Sequence, residues 1–315
     1  MNLAFAKDLR RGLTADPKFI PSKYFYDEQG SRIFQEIMRL EEYYLTQCEF
    51  EILQLYAPEL LEFFALDGAP FEMIEFGAGD GLKTKLLLNH FLESGADFKY
   101  LPIDISKEAL QALVQDIKQQ YPQLDIEGLP DDYFTALRQL PQGLSVRRVV
   151  LFLGSNIGNF HYDQGIAFLS ELRQCLRPGD FVLMGMDLKK NPEIVLNAYN
   201  DRQGVTRAFN LNLLNRINRE MEADFNLAQF HHYPVYDPIE GGAKSYLMSR
   251  VKQTVHIHKL ALKVELEAWE AIHTESSYKY TPYRIGIMAK TAGFEVLNNF
   301  LDRKHYFTDS LWRAI

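Results

Sequence analysis

The chain has 315 residues, 47% hydrophobic and 24% charged, with a formal net charge of −8 at pH 7. That length predicts about two domains, and an acidic balance without a basic stripe argues for a small-molecule partner and against nucleic acid. No apolar run approaches the roughly 18 residues of a membrane span, the early Asp8 argues against a signal peptide, and Cys48 and Cys175 are too few for a disulfide framework or a four-cysteine zinc site, which suits a cytoplasmic protein.

In chain order, residues 1–65 read as helical and aromatic-rich, with Ser31 capping a helix whose apolar face is Ile33, Phe34, Ile37 and Met38. From 71 to 190 strands and helices alternate, with strands at 71–76, 98–103, 147–153 and 179–187 and helices near 82–94, 106–120 and 162–176. Alternation of this kind predicts a parallel sheet. Residues 191–250 interrupt it with a polar, Asn-rich helical stretch around Phe209-Asn210-Leu211-Asn212. Between 251 and 267 the period falls to two (Val251, Gln253, Val255, Ile257, then Leu262, Val264, Leu266), which predicts antiparallel strands with one wet face. A helix near 282–292 stops at Gly293, and the last two apolar runs, around Phe294–Phe300 and His305–Trp312, predict a closing antiparallel hairpin.

The first strand breaks into Gly77-Ala78-Gly79-Asp80-Gly81, and Asp104 follows where the second strand ends. Turn residues without a Cβ let a ligand lie against the backbone. An acid at the neighbouring strand tip can accept hydrogen bonds from a ribose diol. Together they predict an adenosine-containing ligand at the carboxyl edge of a doubly wound sheet. Leu82 separates Gly81 from Lys83, so the phosphate-cradling Gly-Lys-Ser/Thr pattern fails. The same Leu82 stands where a dinucleotide fingerprint has its third glycine, which weakens NAD or FAD. S-adenosylmethionine, which has no pyrophosphate, suits what is left. A structural Gly-rich turn is the bland alternative.

After the fourth strand comes Gly154-Ser155-Asn156-Ile157-Gly158-Asn159-Phe160, a loop position that faces cofactor and substrate in open α/β sheets. The Asn159 carbonyl can accept from an amine N–H and so aim the nitrogen lone pair; an ordinary turn would also use Asn and Gly. Tyr26, Tyr43 and Tyr199 are among 17 tyrosines. Ring faces attract ammonium groups and phenols bind carboxylates, although packing with a satisfied hydroxyl explains any one Tyr more readily. In Thr274–Tyr280 an extended backbone puts Glu275 and Ser277 on one face, a carboxylate beside a hydroxyl, as an imidazole clamp or a solvated edge strand. His231-His232 and His256/His258 lack the partners of a metal site, so no metal is expected.

Lys23 through Asp27 with Gly30-Ser31, Glu42-Tyr43-Tyr44, Gly77 through Lys83, Asp104-Ile105-Ser106, Phe152 through Phe160, Asn197 through Asp201, Phe209-Asn210 and Thr274 through Lys279 recur in family order over nearly the whole chain. They resemble the histidine-specific Nα-methyltransferase family, whose best-known member makes hercynine on the ergothioneine pathway. The resemblance implies a Rossmann-like class I methyltransferase sheet plus a second, substrate-binding α+β domain. On this reading residues 54–190 and 279–315 form the S-adenosylmethionine domain, and 1–53 and 191–278 the substrate domain. It further implies cofactor contacts at Gly77, Gly79, Gly81, Lys83, Asp104, Asp132, Tyr133 and Gly154. Tyr43, Asn159 and Tyr199 would hold the amine and carboxylate, with Tyr26 in the same pocket and Glu275 and Ser277 clamping imidazole. Ser245 stands where the family carries a pocket Met, which changes the size and polarity of the side-chain pocket. The expected reaction is cytoplasmic methylation of an L-amino acid's α-amine, histidine to its trimethylated form. An aromatic or indole amine acceptor, a nicotinamide oxidoreductase and a non-catalytic ligand binder are the alternatives.

Overall fold

A computed structural model describes residues 3–141 and 146–315. The chain divides into two compact units: residues 1–44 with 189–279, and residues 45–188 with 280–315. Of the segment read as helical, residues 1 and 2 lie outside the described residues.

The helices α1 (Leu3–Leu13), α2 (Glu28–Ile37) and α3 (Tyr44–Phe64) come first, and α3 begins at the boundary of the units. There follow β1 (Phe71–Phe76), α4 (Thr84–Glu93), β2 (Phe98–Ile103), α5 (Lys107–Gln120), β3 (Asp125–Ile126), α6 (Tyr133–Gln139), β4 (Arg147–Phe152), α7 (Tyr162–Cys175) and β5 (Phe181–Asp187). The second half holds α8 (Pro192–Ala198), α9 (Val205–Met221), β6 (Phe230–Asp237), β7 (Gly242–Ser249), β8 (Gln253–Ile257), β9 (Leu262–Leu266), β10 (Ala271–Tyr278), α10 (Pro282–Thr291), β11 (Phe294–Leu301) and β12 (Phe307–Ala314).

The unit of 45–188 and 280–315 is built on a seven-stranded sheet in the order β11-β12-β5-β4-β1-β2-β3. Strands β1 to β5 pair in parallel, and β12 joins β5 and β11 antiparallel, which is the expected closing hairpin on a parallel sheet. Every residue of β1 and of β5 is buried, as strands covered on both faces require. The chain order reverses between the neighbours β1 and β4, a switch point that opens a crevice beyond the strands' carboxyl ends. The turns at Gly77 and Gly154 leave β1 and β4 at that edge.

The other unit holds the antiparallel sheet β10-β7-β6 and the hairpin β8–β9. Its apolar core joins Phe5 and Leu9 of α1, Phe209 and Leu213 of α9, Leu247 of β7 and Ile272 of β10. Val255, Ile257, Val264 and Leu266 point inward from the hairpin, as the period-two pattern predicts; Val251 lies before β8 and is exposed.

Two expectations are corrected. Residues 191–250 are α-helical through α8 and α9 and, after a short helical turn at Leu227–Gln229, become strands β6 and β7. In β7 the inward positions are Ala243, Ser245, Leu247 and Ser249, so small polar residues hide the alternation that marks a strand. The cap of α2 is Asp27, whose Oδ1 accepts from Gly30 N at 2.7 Å, and Ser31 sits within the helix. Asp27 also accepts from Asn212 Nδ2 (2.9 Å) and Arg219 (2.5 Å), tying the start of α2 to α9. Gly30 has no room for a side chain, since a Cβ there would fall 1.8 Å from Phe25 O. Among the described residues no helix is long and apolar enough to cross a membrane.

Candidate active site

The glycine turn after β1 has the backbone its sequence predicts. Gly77, Gly79 and Gly81 have φ of 65°, 57° and 66°, the left-handed region where a Cβ is strained. A Cβ on Gly77 would also fall 2.9 Å from Tyr133 Oη. The Tyr133 ring stacks on Phe76 at 4.4 Å between centroids, and desolvation pushes its hydroxyl up to about 12. Asp104 follows β2, half-buried, and one carboxylate oxygen accepts from Ser106 N at 2.8 Å. Desolvation raises its pKa above the usual carboxylate range. Asp132 caps α6 through Phe134 N and Thr135 N, at 3.2 and 3.0 Å, and the hydrogen bonds from Thr135 hold its pKa low.

Lys83, before α4, is paired with Glu49 of α3. The other Glu49 oxygen accepts from Gly154 N at 2.7 Å, so one carboxylate ties the lysine to the turn after β4. Gly185 of β5 makes room for it, because a Cβ there would lie 2.2 Å from Glu49 Oε1. Asp309 of β12 lies in the same buried cluster, and neither of its oxygens finds a donor. Burial and then the Glu49 charge push its pKa well up. Glu75 of β1 is a further buried acid. It accepts from Thr84 Oγ1 at 2.6 Å and Tyr100 Oη at 2.5 Å, and desolvation raises it to about 7. Asn159 ends the short helical turn Asn156–Asn159 beyond β4 and is exposed.

The remaining candidates lie in the other unit. Tyr26 packs edge-on against Phe34 (5.4 Å) and Phe209 (5.7 Å), with 47% of its surface open. Desolvation, then the nearby Glu275 and Tyr199, raise its hydroxyl pKa. Tyr43 meets Phe34 and Tyr199 edge-on, at 6.2 and 6.4 Å. Lys279, just after β10 and 2% exposed, donates to Tyr199 Oη at 2.7 Å and Ser277 Oγ at 2.8 Å. Glu275 is half-buried on the same strand, raised to about 7 by desolvation against the pull of Lys279. Across the β7–β10 ladder Glu275 pairs with Ser245, whose buried hydroxyl has no hydrogen-bond partner. This unit therefore gathers Tyr26, Tyr43, Tyr199, Ser245, Glu275 and Ser277.

A family model described as histidine-specific, SAM-dependent methyltransferase matches residues 5–314. The chain belongs to that family. It is 37% identical over 306 residues to the histidine N-alpha-methyltransferase of Mycolicibacterium smegmatis, covering 97% of this chain and 91% of the relative. Identity to the enzyme of the same name from Mycobacterium tuberculosis is 35% over 310 residues, covering 98% and 95%. Ergothioneine biosynthesis protein 1 of Neurospora crassa is 30% identical over 298 residues, which cover 92% of this chain and 32% of that longer protein.

The methyltransferase uses S-adenosylmethionine, and the edge of its parallel sheet fits that cofactor. Bare backbone at three positive-φ glycines leaves a cradle a Cβ would fill, and the half-buried Asp104 stands at the tip of β2. Sequence reasoning missed Glu49, Glu75, Asp309 and Lys279 as parts of the site. For Glu75 a signal existed, since an acid inside a strand buried on both faces demands a partner. Lys279 stood within a motif read for its neighbours. Glu49 lies among other glutamates of α3 (Glu51, Glu59, Glu62) and carries no distinguishing pattern.

Proposed function

We propose that this enzyme methylates the α-amine of free L-histidine in the cytoplasm, as a step of ergothioneine biosynthesis, and proceeds to the trimethylated product. S-adenosylmethionine supplies the electrophilic methyl on its sulfonium. The glycine turn, Asp104, Tyr133, Lys83 and Gly154 hold it, and Asp132 adds its remaining carboxylate oxygen at the start of α6. Tyr199 and Tyr43 bind the amino acid's charged end, and the Asn159 carbonyl accepts from the amine so that its lone pair stays aimed. Alignment of this kind contributes up to roughly 7–11 kcal/mol of rate acceleration. Glu275 accepts from one imidazole nitrogen and Ser277 donates to the other. Tyr26 and its neighbours offer ring faces that accept a growing ammonium charge without an ion pair to trap it.

The observation that carries this reading is β10, where a carboxyl held near neutrality (Glu275, about 7) and a buried hydroxyl (Ser277) lie two residues apart in a family member. Histidine presents both a ring donor and a ring acceptor; indole presents only a donor. Incubation with S-adenosylmethionine and separate samples of histidine, tryptophan, tyrosine and their decarboxylated amines tests it by mass spectrometry. Histidine is expected to gain three methyl masses. An inert histidine beside a methylated indole overturns the assignment.

A further inference from the structure

Lys279 is a buried lysine whose ammonium reaches the hydroxyls of both Tyr199 and Ser277. Its backbone N–H is anchored on Gly241 O at 2.8 Å, and Nζ also lies 4.8 Å from the centre of the Tyr199 ring. An ammonium has three donors and no acceptor, whereas a hydroxyl can donate or accept according to its neighbours. A hydroxyl oxygen that accepts from an ammonium spends a lone pair and keeps its proton to give elsewhere. The charge behind it also makes that proton a stronger donor.

We infer that Lys279 is a positioning residue: it sets the hydrogen-bond direction of Tyr199 and Ser277 so that both hydroxyls act as donors towards the amino acid. The inference rests on histidine binding in this unit as proposed above, and it narrows what the site takes. The ligand must present acceptors to both hydroxyls. A carboxylate meets Tyr199, and a ring nitrogen carrying no proton meets Ser277. With Glu275 taking the ring N–H, the bound form is neutral imidazole in one tautomer. Imidazolium, with donors at both nitrogens, is disfavoured, and so are amines that have lost the carboxylate or carry an amide in its place.

The experiment compares wild type with Lys279→Met in steady-state methylation of histidine and of histidinamide, with S-adenosylhomocysteine affinity and melting temperature as controls. Lys279→Met is expected to raise KM for histidine by about 10- to 100-fold, the range of a lost charge-assisted hydrogen bond, with kcat changed less. The preference for histidine over histidinamide should shrink towards one. In a Tyr199→Phe background the same substitution should do less, because the share of its effect that passes through that hydroxyl is gone and only the share through Ser277 remains. An unchanged histidine KM, or a loss of equal size in both backgrounds, overturns the inference. If Lys279→Met is too unstable to assay, Lys279→Arg keeps the charge and the donors and should retain the preference; a folded Arg variant without it also overturns the inference. Wild-type protein inert towards histidine defeats the functional assignment instead, so the two failures are distinguishable.

Discussion

Under the glycine turns of the parallel-sheet unit lie three buried carboxyls, Glu49, Glu75 and Asp309, around the single ammonium of Lys83, whereas the antiparallel unit sets a buried ammonium, Lys279, against two hydroxyls at its cluster of tyrosines. Burying a charge without a partner costs several kcal/mol, so each choice constrains what the neighbourhood can hold. On the acid-rich side burial raises Glu75 to about 7 and pushes Asp309 well up, while Glu49 is spent on Lys83 and Gly154 N. The hydroxyl-rich side has donors to offer. A donor-rich neighbourhood suits an amino acid's carboxylate.

Removing the carboxylate that holds Lys83 strikes hardest at this contrast. Glu49→Gln is expected to cost about 3–5 kcal/mol in denaturant unfolding, the range for a buried ion pair that loses one partner. It should also weaken S-adenosylhomocysteine binding, since the turn at Gly154 loses its tie to Lys83. A fully stable Glu49→Gln protein would mean that the pair does not organise this edge.

The pH dependence of stability gives a smaller effect with a fixed sign. Glu75 titrates near 4.5 when exposed and at about 7 when folded. Between those values the native state holds a proton that the unfolded chain has released, so stability falls as pH rises through that window. The shift corresponds to a contribution of up to roughly 3 kcal/mol. Glu75→Gln, neutral throughout, should flatten the difference in melting temperature measured from about pH 5 to about pH 8. A wild-type slope identical to that of the variant removes Glu75 from the set of proton holders.

The smallest effect is the sharpest test of which acid carries the proton. Burial and the Glu49 charge both favour a neutral Asp309, and an Asn amide keeps that neutrality. Asp309→Asn should therefore alter stability by less than about 1 kcal/mol. A loss comparable to that of Glu49→Gln would show that Asp309 is the ionised member.

The parallel sheet was legible because its strands are apolar runs between turn residues, and β1 and β2 fall on the residues read from sequence, 71–76 and 98–103. Strands β6 and β7 were illegible for the opposite reason. Ser245 and Ser249 face inward, and His232 is buried, so no apolar alternation survives. Asp27 outcompeted Ser31 as a cap because the chain before it turns sharply against Gly30, a close approach set by Phe25 O. In the site, the glycines and Asp104 could be read locally, since their roles depend on backbone shape and strand ends. The partnership of Lys83, Glu49 and Gly154 could not, because it needs the adjacency of β1 and β4 and a helix 34 residues earlier. Lys279 shares that limit: its burial comes from tertiary packing, while its sequence neighbours are polar.

The position of β12 has a consequence for synthesis on the ribosome. This strand, the last in chain order, sits inside the seven-stranded sheet between β11 and β5, not at its rim. Until it emerges, β5 presents an unpaired row of amides and carbonyls to every other nascent chain nearby. The interleaved unit of 1–44 and 189–279 likewise waits for translation to reach β10 before its three-stranded sheet can close. Neither unit is contiguous in the chain, so neither can close before translation has reached β10.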